Sequence, residues 1–146
     1  MKAIHREKYP SLSFNWVAKK LRQLPLPLLY VCEDLSYGGL YFQPTKEEHI
    51  WKGNLLPPSN GIIMVGCYAE QPTESALAHE FRHHWQYWNG IDSDCVGWNT
   101  ETTYEEYPKD IVRYFTGSTT EMDALNFELK HAPSDLSLEW MNWIKK

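Results

Sequence analysis

Cysteine is scarce in this chain and poorly placed for cross-linking: Cys32, Cys67 and Cys95 are odd in number and widely spaced, with no C-x-x-C pair. That pattern argues against a disulfide framework and against a thiolate zinc site, and reduced structural thiols are expected. Positive charge is short as well. With 14 Lys and Arg against 19 Asp and Glu, the net charge is -5 and the pI is near 5.6, so the broad basic footprint of a nucleic-acid binder is missing. Lys2, Arg6, Lys8, Lys19, Lys20 and Arg22 do gather near the start, but Leu12, Phe14, Trp16, Val17, Leu21 and Leu24 interleave with them, which reads as one solvated helix face. Long apolar runs are also lacking. No stretch approaches the roughly 18 residues needed to span a bilayer, and the start has no uninterrupted apolar signal core, so a cytoplasmic location without a membrane partner is expected.

What is abundant is apolar and aromatic bulk: 42% of the 146 residues are hydrophobic, and 7 Trp and 9 Tyr stand among them. That content can bury one core, so one domain spanning 1–146 is expected, with rings left over to line a cleft. Along the chain, residues 11–24 read as an amphipathic helix between Ser11 or Ser13 and Pro25. Residues 28–32 and 40–43, around Tyr37-Gly38-Gly39, resemble a hairpin, and Ile62-Ile63-Met64-Val65-Gly66-Cys67 is the best strand by β-branched content. Helices follow at 73–88, 118–130 and 135–144, separated by an acidic stretch, 89–117, that reads as loop with one short helix. The class expected is α+β.

The segment carrying chemistry is His79-Glu80-Phe81-Arg82-His83, an H-E-x-x-H pentad. Two histidines four apart on a helix can offer their imidazoles to one divalent metal, and the adjoining glutamate can act on water bound to it. Chance would produce the pattern on the order of 0.01 to 0.03 times in a chain of this composition. Its surroundings are helical: Leu77, Phe81, Trp85 and Trp88 form an apolar stripe, with His79 and His83 on a roughly opposite, polar face. His84 points toward the apolar stripe and reads as a packed residue.

A catalytic zinc takes three protein ligands, and the pentad supplies two. Asn89 stands where a metzincin would have its third histidine, and Gln86 replaces the intervening glycine, so a downstream carboxylate is the leading candidate. Glu121 is the choice, 38 residues after His83, at the start of the next clear helix. Here the chain resembles the gluzincin metallopeptidases, and the compact minigluzincins above all, over roughly residues 60–130. In that clan a strand precedes the H-E-x-x-H helix and a later helix gives the glutamate ligand, often with a small residue three places on, as Ala124 is here. The resemblance implies a zincin-like fold, a small twisted sheet of about three strands on an active-site helix, with a C-terminal glutamate-bearing helix. The clan's thermolysin-like branch has an acidic residue four after the ligand, where this chain has Leu125. A second role is open to Glu121, because Ser118-Thr119-Thr120-Glu121 is a capping-box pattern. Asp123, Glu105, Glu106 and His131 are reserve ligands.

With Zn²⁺ held by His79, His83 and Glu121, the chemistry expected is hydrolysis of a peptide or protein substrate. The metal activates a water, and Glu80 takes its proton and passes it to the leaving amine. Of Tyr104, Tyr107 and Tyr114, the last is preferred as donor to the oxyanion. The competing expectation is a non-catalytic metal-binding or interaction domain of the same fold, in a phage-associated or regulatory setting. Oligomeric state is not legible in the sequence.

Overall fold

The structure is a computed structural model describing residues 3–5, 24–32, 35, 38–68, 71–72, 74–95 and 106–146. Its class is α+β. The amphipathic helix expected over 11–24 falls almost entirely outside the described residues, as do the basic residues near the start and the segment 96–105.

The strands are β1 (Ala3–His5), β2 (Leu28–Cys32), β3 (Gly39–Phe42), β4 (His49–Trp51), β5 (Asn54–Leu56), β6 (Ile62–Tyr68) and β7 (Gln71–Pro72). The main sheet runs β1-β2-β6-β3, with β7 paired to the end of β6. Strand β6 lies between β2, parallel to it, and β3, antiparallel to it. The hairpin expected of β2 and β3 is therefore not formed: both strands exist, and β6 is inserted between them. The reason is visible in β6 itself, where Ile62, Ile63, Met64 and Val65 are fully buried. A continuous apolar run needs cover on both faces and both edges, which the centre of a sheet provides and its margin does not. Ile63 and Val65 join the core on one face, and Met64 packs with Cys32 and Leu35 on the other.

That second face is covered by a feature not expected from the sequence, the β4–β5 hairpin. Its turn residues Lys52 (φ 43°) and Gly53 (φ 80°) are both left-handed, the geometry that matches the twist of a two-residue hairpin. Trp51 packs edge-on against Phe42 of β3, 5.8 Å between ring centres. With β1, β7 and this hairpin the β structure is larger than the three strands expected.

The helices are α1 (Glu74–Trp88), α2 (Tyr107–Thr116), α3 (Thr119–His131) and α4 (Asp135–Lys145). Leu77 and Phe81 of α1 are fully buried and pack on Leu29, Val31, Ile63 and Val65 of the sheet. Burial of a side chain of this size contributes roughly 1.5–3 kcal/mol. The other side of α1 does not face solvent. It packs on α3, whose Phe127 joins the same cluster, so the polar face expected of His79 and His83 is an interhelical one. A second cluster, centred on Ile111, Phe115 and Leu125, ties α2 and α3 to Trp140, Met141, Trp143 and Ile144 of α4. Ser118 caps α3 and Ser134 caps α4, each accepting from the backbone N–H three residues on. Among the described residues no helix is long and apolar enough to cross a membrane.

Candidate metal centre

One turn apart on α1, His79 and His83 hold their rings edge to face with centres 5.0 Å apart. Both side chains are pressed against the start of α3, leaving about 15% of their surface exposed. There Glu121 meets them: its Oε2 lies 2.9 Å from His79 Nε2 and its Oε1 lies 3.0 Å from His83 Nε2. One ligand atom from each of the three residues lies within 4.8 Å of the others, so the group could hold a metal ion. The capping-box role open to Glu121 is only half formed: its backbone N–H donates to Ser118 Oγ at 3.1 Å, but its carboxylate turns to the histidines instead of reaching back to the helix start.

Behind each imidazole stands an acceptor for the other ring nitrogen. His79 Nδ1 is 3.0 Å from Glu128 Oε1, and Glu128 is itself fixed by Ser75 Oγ, which donates to its Oε2 at 2.5 Å. His83 Nδ1 is 2.9 Å from Gln86 Oε1, and the Gln86 amide donates to the Thr120 carbonyl and to Asp123, each at 2.9 Å. Such contacts hold a proton on Nδ1, so that Nε2, which donates to the Glu121 carboxylate here, is the nitrogen that would face a metal once its own proton is lost. The sequence reading missed both partners. Glu128 lies seven residues after Glu121, two turns along one face of α3, and that spacing is the signal that could have found it. Glu128→Gln is expected to weaken zinc binding about 10- to 100-fold with the fold intact; a chelator competition titration measures it, and unchanged affinity would remove Glu128 from the site.

The reserve ligands go elsewhere. Asp123 is engaged by a two-pronged Arg82 contact at 2.7 and 3.2 Å, His131 lies against Phe127, and Glu106 is exposed at the start of α2. Glu105 lies outside the described residues.

Burial alone would lower the pKa of His79 and His83, but hydrogen bonds to Glu121, joined for His79 by Glu128, and the charge of Glu80 outweigh it and raise both. Burial would raise Glu121, and the two histidines hold it well below the usual carboxylate range. Raised histidines contribute stability below their unfolded pKa near 6.5 and lose it as pH climbs through the folded value; a depressed Glu121 contributes above about 4.5 and loses it in acid. A chelated sample is therefore expected to weaken above about pH 6.5. A divalent metal taken up there would have to displace those protons, so its affinity would rise with pH by about ten- to a hundredfold per unit while the imidazoles remain protonated. The gain in melting temperature on adding zinc is expected to be small at pH 5.5 and several degrees larger at pH 8, by roughly 2–4 °C per kcal/mol of binding gained. A gain that is flat or shrinks with pH would contradict the assignment.

Glu80, next to His79, turns to the sheet side of the site. It is buried, its Oε2 has no hydrogen-bond partner among the described residues, and burial pushes its pKa up against the opposing pull of His83 and His79. Its side chain passes over Gly39 at the head of β3, where an added Cβ would lie 2.8 Å from Glu80 Cγ and 2.8 Å from the Met64 carbonyl oxygen. Gly39 is thus the gap through which the carboxylate reaches a cavity of about 360 Å³, lined also by Leu40, Tyr41, His83, Tyr87, Tyr114 and Glu121. Tyr114 also lines this cavity. Burial and the Glu121 charge push the phenol up, so it stays protonated and able to donate.

Asp94, also missed, fastens one wall of this cavity. Its Oδ1 accepts from Ser118 Oγ and from the N–H and Oγ1 of Thr120, and its Oδ2 accepts from the N–H and Oγ1 of Thr119, at 2.6–3.0 Å. Those bonds hold its carboxyl well below the usual range and pin the segment of Ile91 and Ser93 to the head of α3. Set against protein-family models, curated proteins and solved structures, the chain matches none of them.

Proposed function

We propose that this chain is a zinc-dependent metallopeptidase of gluzincin type, with a zincin-like arrangement of sheet, active-site helix and glutamate helix. His79, His83 and Glu121 are its metal ligands and Glu80 its general base. The observation that carries the reading is the meeting of the pentad's two Nε2 atoms with one carboxylate from α3, beside a buried carboxylate with a free oxygen in an open cavity. Two imidazole nitrogens and one carboxylate oxygen are a donor set that zinc takes in catalytic sites, and the Nδ1 contacts of Glu128 and Gln86 present the correct nitrogen.

Bound there, Zn²⁺ would supply a Lewis acid that lowers the pKa of water and polarises a carbonyl. The protein's own groups do the rest. Glu80, its pKa raised by burial, takes a proton from water through Oε2 and returns it to the leaving nitrogen. Tyr114, kept protonated, donates to the oxyanion. The substrate is held by β3, which ends the sheet among the described residues. Gly66 N–H donates to the Gly38 carbonyl and Gly39 stands opposite Val65, so Gly39 and Tyr41 turn their backbone N–H and C=O away from β6. An extended peptide can pair with that free edge.

One observation favours a non-catalytic reading: Glu121 satisfies both histidines by hydrogen bonds, so the cluster is self-sufficient as an ion-paired helix contact. Incubating the zinc-loaded protein with a mixed peptide library and identifying products by mass spectrometry separates the two. Cleavage that stops on chelation and returns with zinc is expected; an inert protein holding one equivalent of zinc would overturn the peptidase reading.

A further inference from the structure

Beyond Glu80 the cavity continues along α1 toward Tyr87 and the segment of Ile91, and its wall on the sheet side is Tyr41. Tyr41 is held in an unusual way. Its Oη lies 2.8 Å from Nδ1 of His84, a fully buried histidine whose Nε2 lies 2.7 Å from the Pro25 carbonyl oxygen. A carbonyl only accepts, so Nε2 carries the imidazole proton, Nδ1 carries the lone pair, and the Tyr41 hydroxyl donates to it. The phenol's hydrogen is spent inside the protein, and what it offers the cavity is its ring. Gly61 makes room for this contact: at φ +127° it stands where an added Cβ would lie 2.8 Å from both His84 Nδ1 and Tyr41 Oη.

Two further polar groups at this end are committed, while Gln43, also in the lining, is exposed. Gln86 gives its oxygen to His83 and its amide to Thr120 and Asp123, and Ser93 Oγ accepts from the Cys95 N–H. Tyr87 and Ile91, 38% and 43% exposed, are the large surfaces left beside Tyr41. The charged groups lining the cavity include the carboxylates of Glu80 and Glu121, which repel an acidic side chain. Gly39, under Glu80, and Tyr41 are two residues apart on one face of β3, about 7 Å along the strand. A chain paired to that edge with its scissile carbonyl near Glu80 thus brings a side chain one or two residues away against Tyr41.

Resting on the peptidase reading of the same site, we propose that Tyr41, Tyr87 and Ile91 form a subsite for an aromatic or large aliphatic side chain of an extended peptide. Tyr41, locked by His84, is its specificity-determining residue.

The test uses peptides that vary one position at a time among Phe, Leu, Ala and Asp, read in two ways: by hydrolysis, and by equilibrium binding of fluorescent peptides to the zinc-loaded Glu80→Gln protein. A tenfold or greater preference for Phe or Leu over Ala, with Asp poorest, is expected at one position within two residues of the cleaved bond, and it should reside in KM. Tyr87→Ala and Ile91→Ala, at exposed positions that tolerate truncation, should each reduce that preference severalfold. Tyr41→Ala should abolish it, while Tyr41→Phe, which keeps the ring, should retain it. Cleavage without side-chain preference, or a preference untouched by Tyr87→Ala, Ile91→Ala and Tyr41→Ala, overturns the subsite and leaves the peptidase reading standing. Absence of cleavage with Phe-selective binding that these variants abolish upholds the subsite and removes the peptidase; absence of both cleavage and selective binding removes the two together.

Discussion

Glu80→Gln protein is expected to bind zinc at the same stoichiometry as the unaltered chain and to lose about 10²- to 10⁴-fold of its peptide hydrolysis. The substitution keeps shape and volume while removing the one property the mechanism needs, a proton acceptor beside the metal ligands. Because Glu80 stands outside the His79–His83–Glu121 group, elemental analysis should still find one zinc per chain. Because it acts on water rather than on the peptide, the loss should fall on kcat with KM little changed. Stability gives an independent readout. A buried carboxylate with an unpartnered oxygen costs free energy when ionised, and its raised pKa means that the cost grows as pH rises above about 4.5. The variant should therefore melt at the same temperature or higher at pH 8. A purified variant of equal activity would remove Glu80 as base, and one that lost zinc would make it a ligand.

The site was legible in the sequence to the extent that it is local. His79, Glu80 and His83 lie within one helix whose periodicity and flanking turn signals define it, so spacing alone puts them together. Glu121 lies on another helix, and its selection depended on the start signal at Ser118 and on the gluzincin resemblance. Glu128 on His79, Gln86 on His83 and Asp94 on the head of α3 all depend on how α1, α3 and the intervening segment pack. Gly39 shows the limit most clearly. Beside Gly38 it reads as a turn, yet its function in the fold is to let Glu80 pass, a contact between residues forty-one apart that one sequence does not encode in any pattern. The same applies to the sheet. Strands β2, β3 and β6 are visible as apolar runs, while the insertion of β6 between the other two follows from competition for the buried centre.

Glu121→Gln carries the second large effect, because it separates the two roles that the sequence left open. The amide cannot act as an anionic ligand, so zinc affinity should fall by about 100-fold or more, beyond what the loss of an outer contact such as Glu128 produces. The cap survives, since the bond to Ser118 Oγ comes from the Glu121 backbone N–H. Without metal, the variant also deprives two buried imidazoles of their anionic partner, and roughly 1–3 kcal/mol of stability should go with it. Ser118→Ala is the counterpart: it removes the capping oxygen at a cost of about 1 kcal/mol and leaves the carboxylate in position, so zinc should remain bound. Chelator competition and thermal melts on both proteins resolve the matter. If Glu121→Gln keeps full zinc affinity and shows only the stability loss, the carboxylate is an ion partner of the two histidines alone and the third ligand must be sought elsewhere; if zinc is lost from Glu121→Gln and kept by Ser118→Ala, the carboxylate completes the site that His79 and His83 begin.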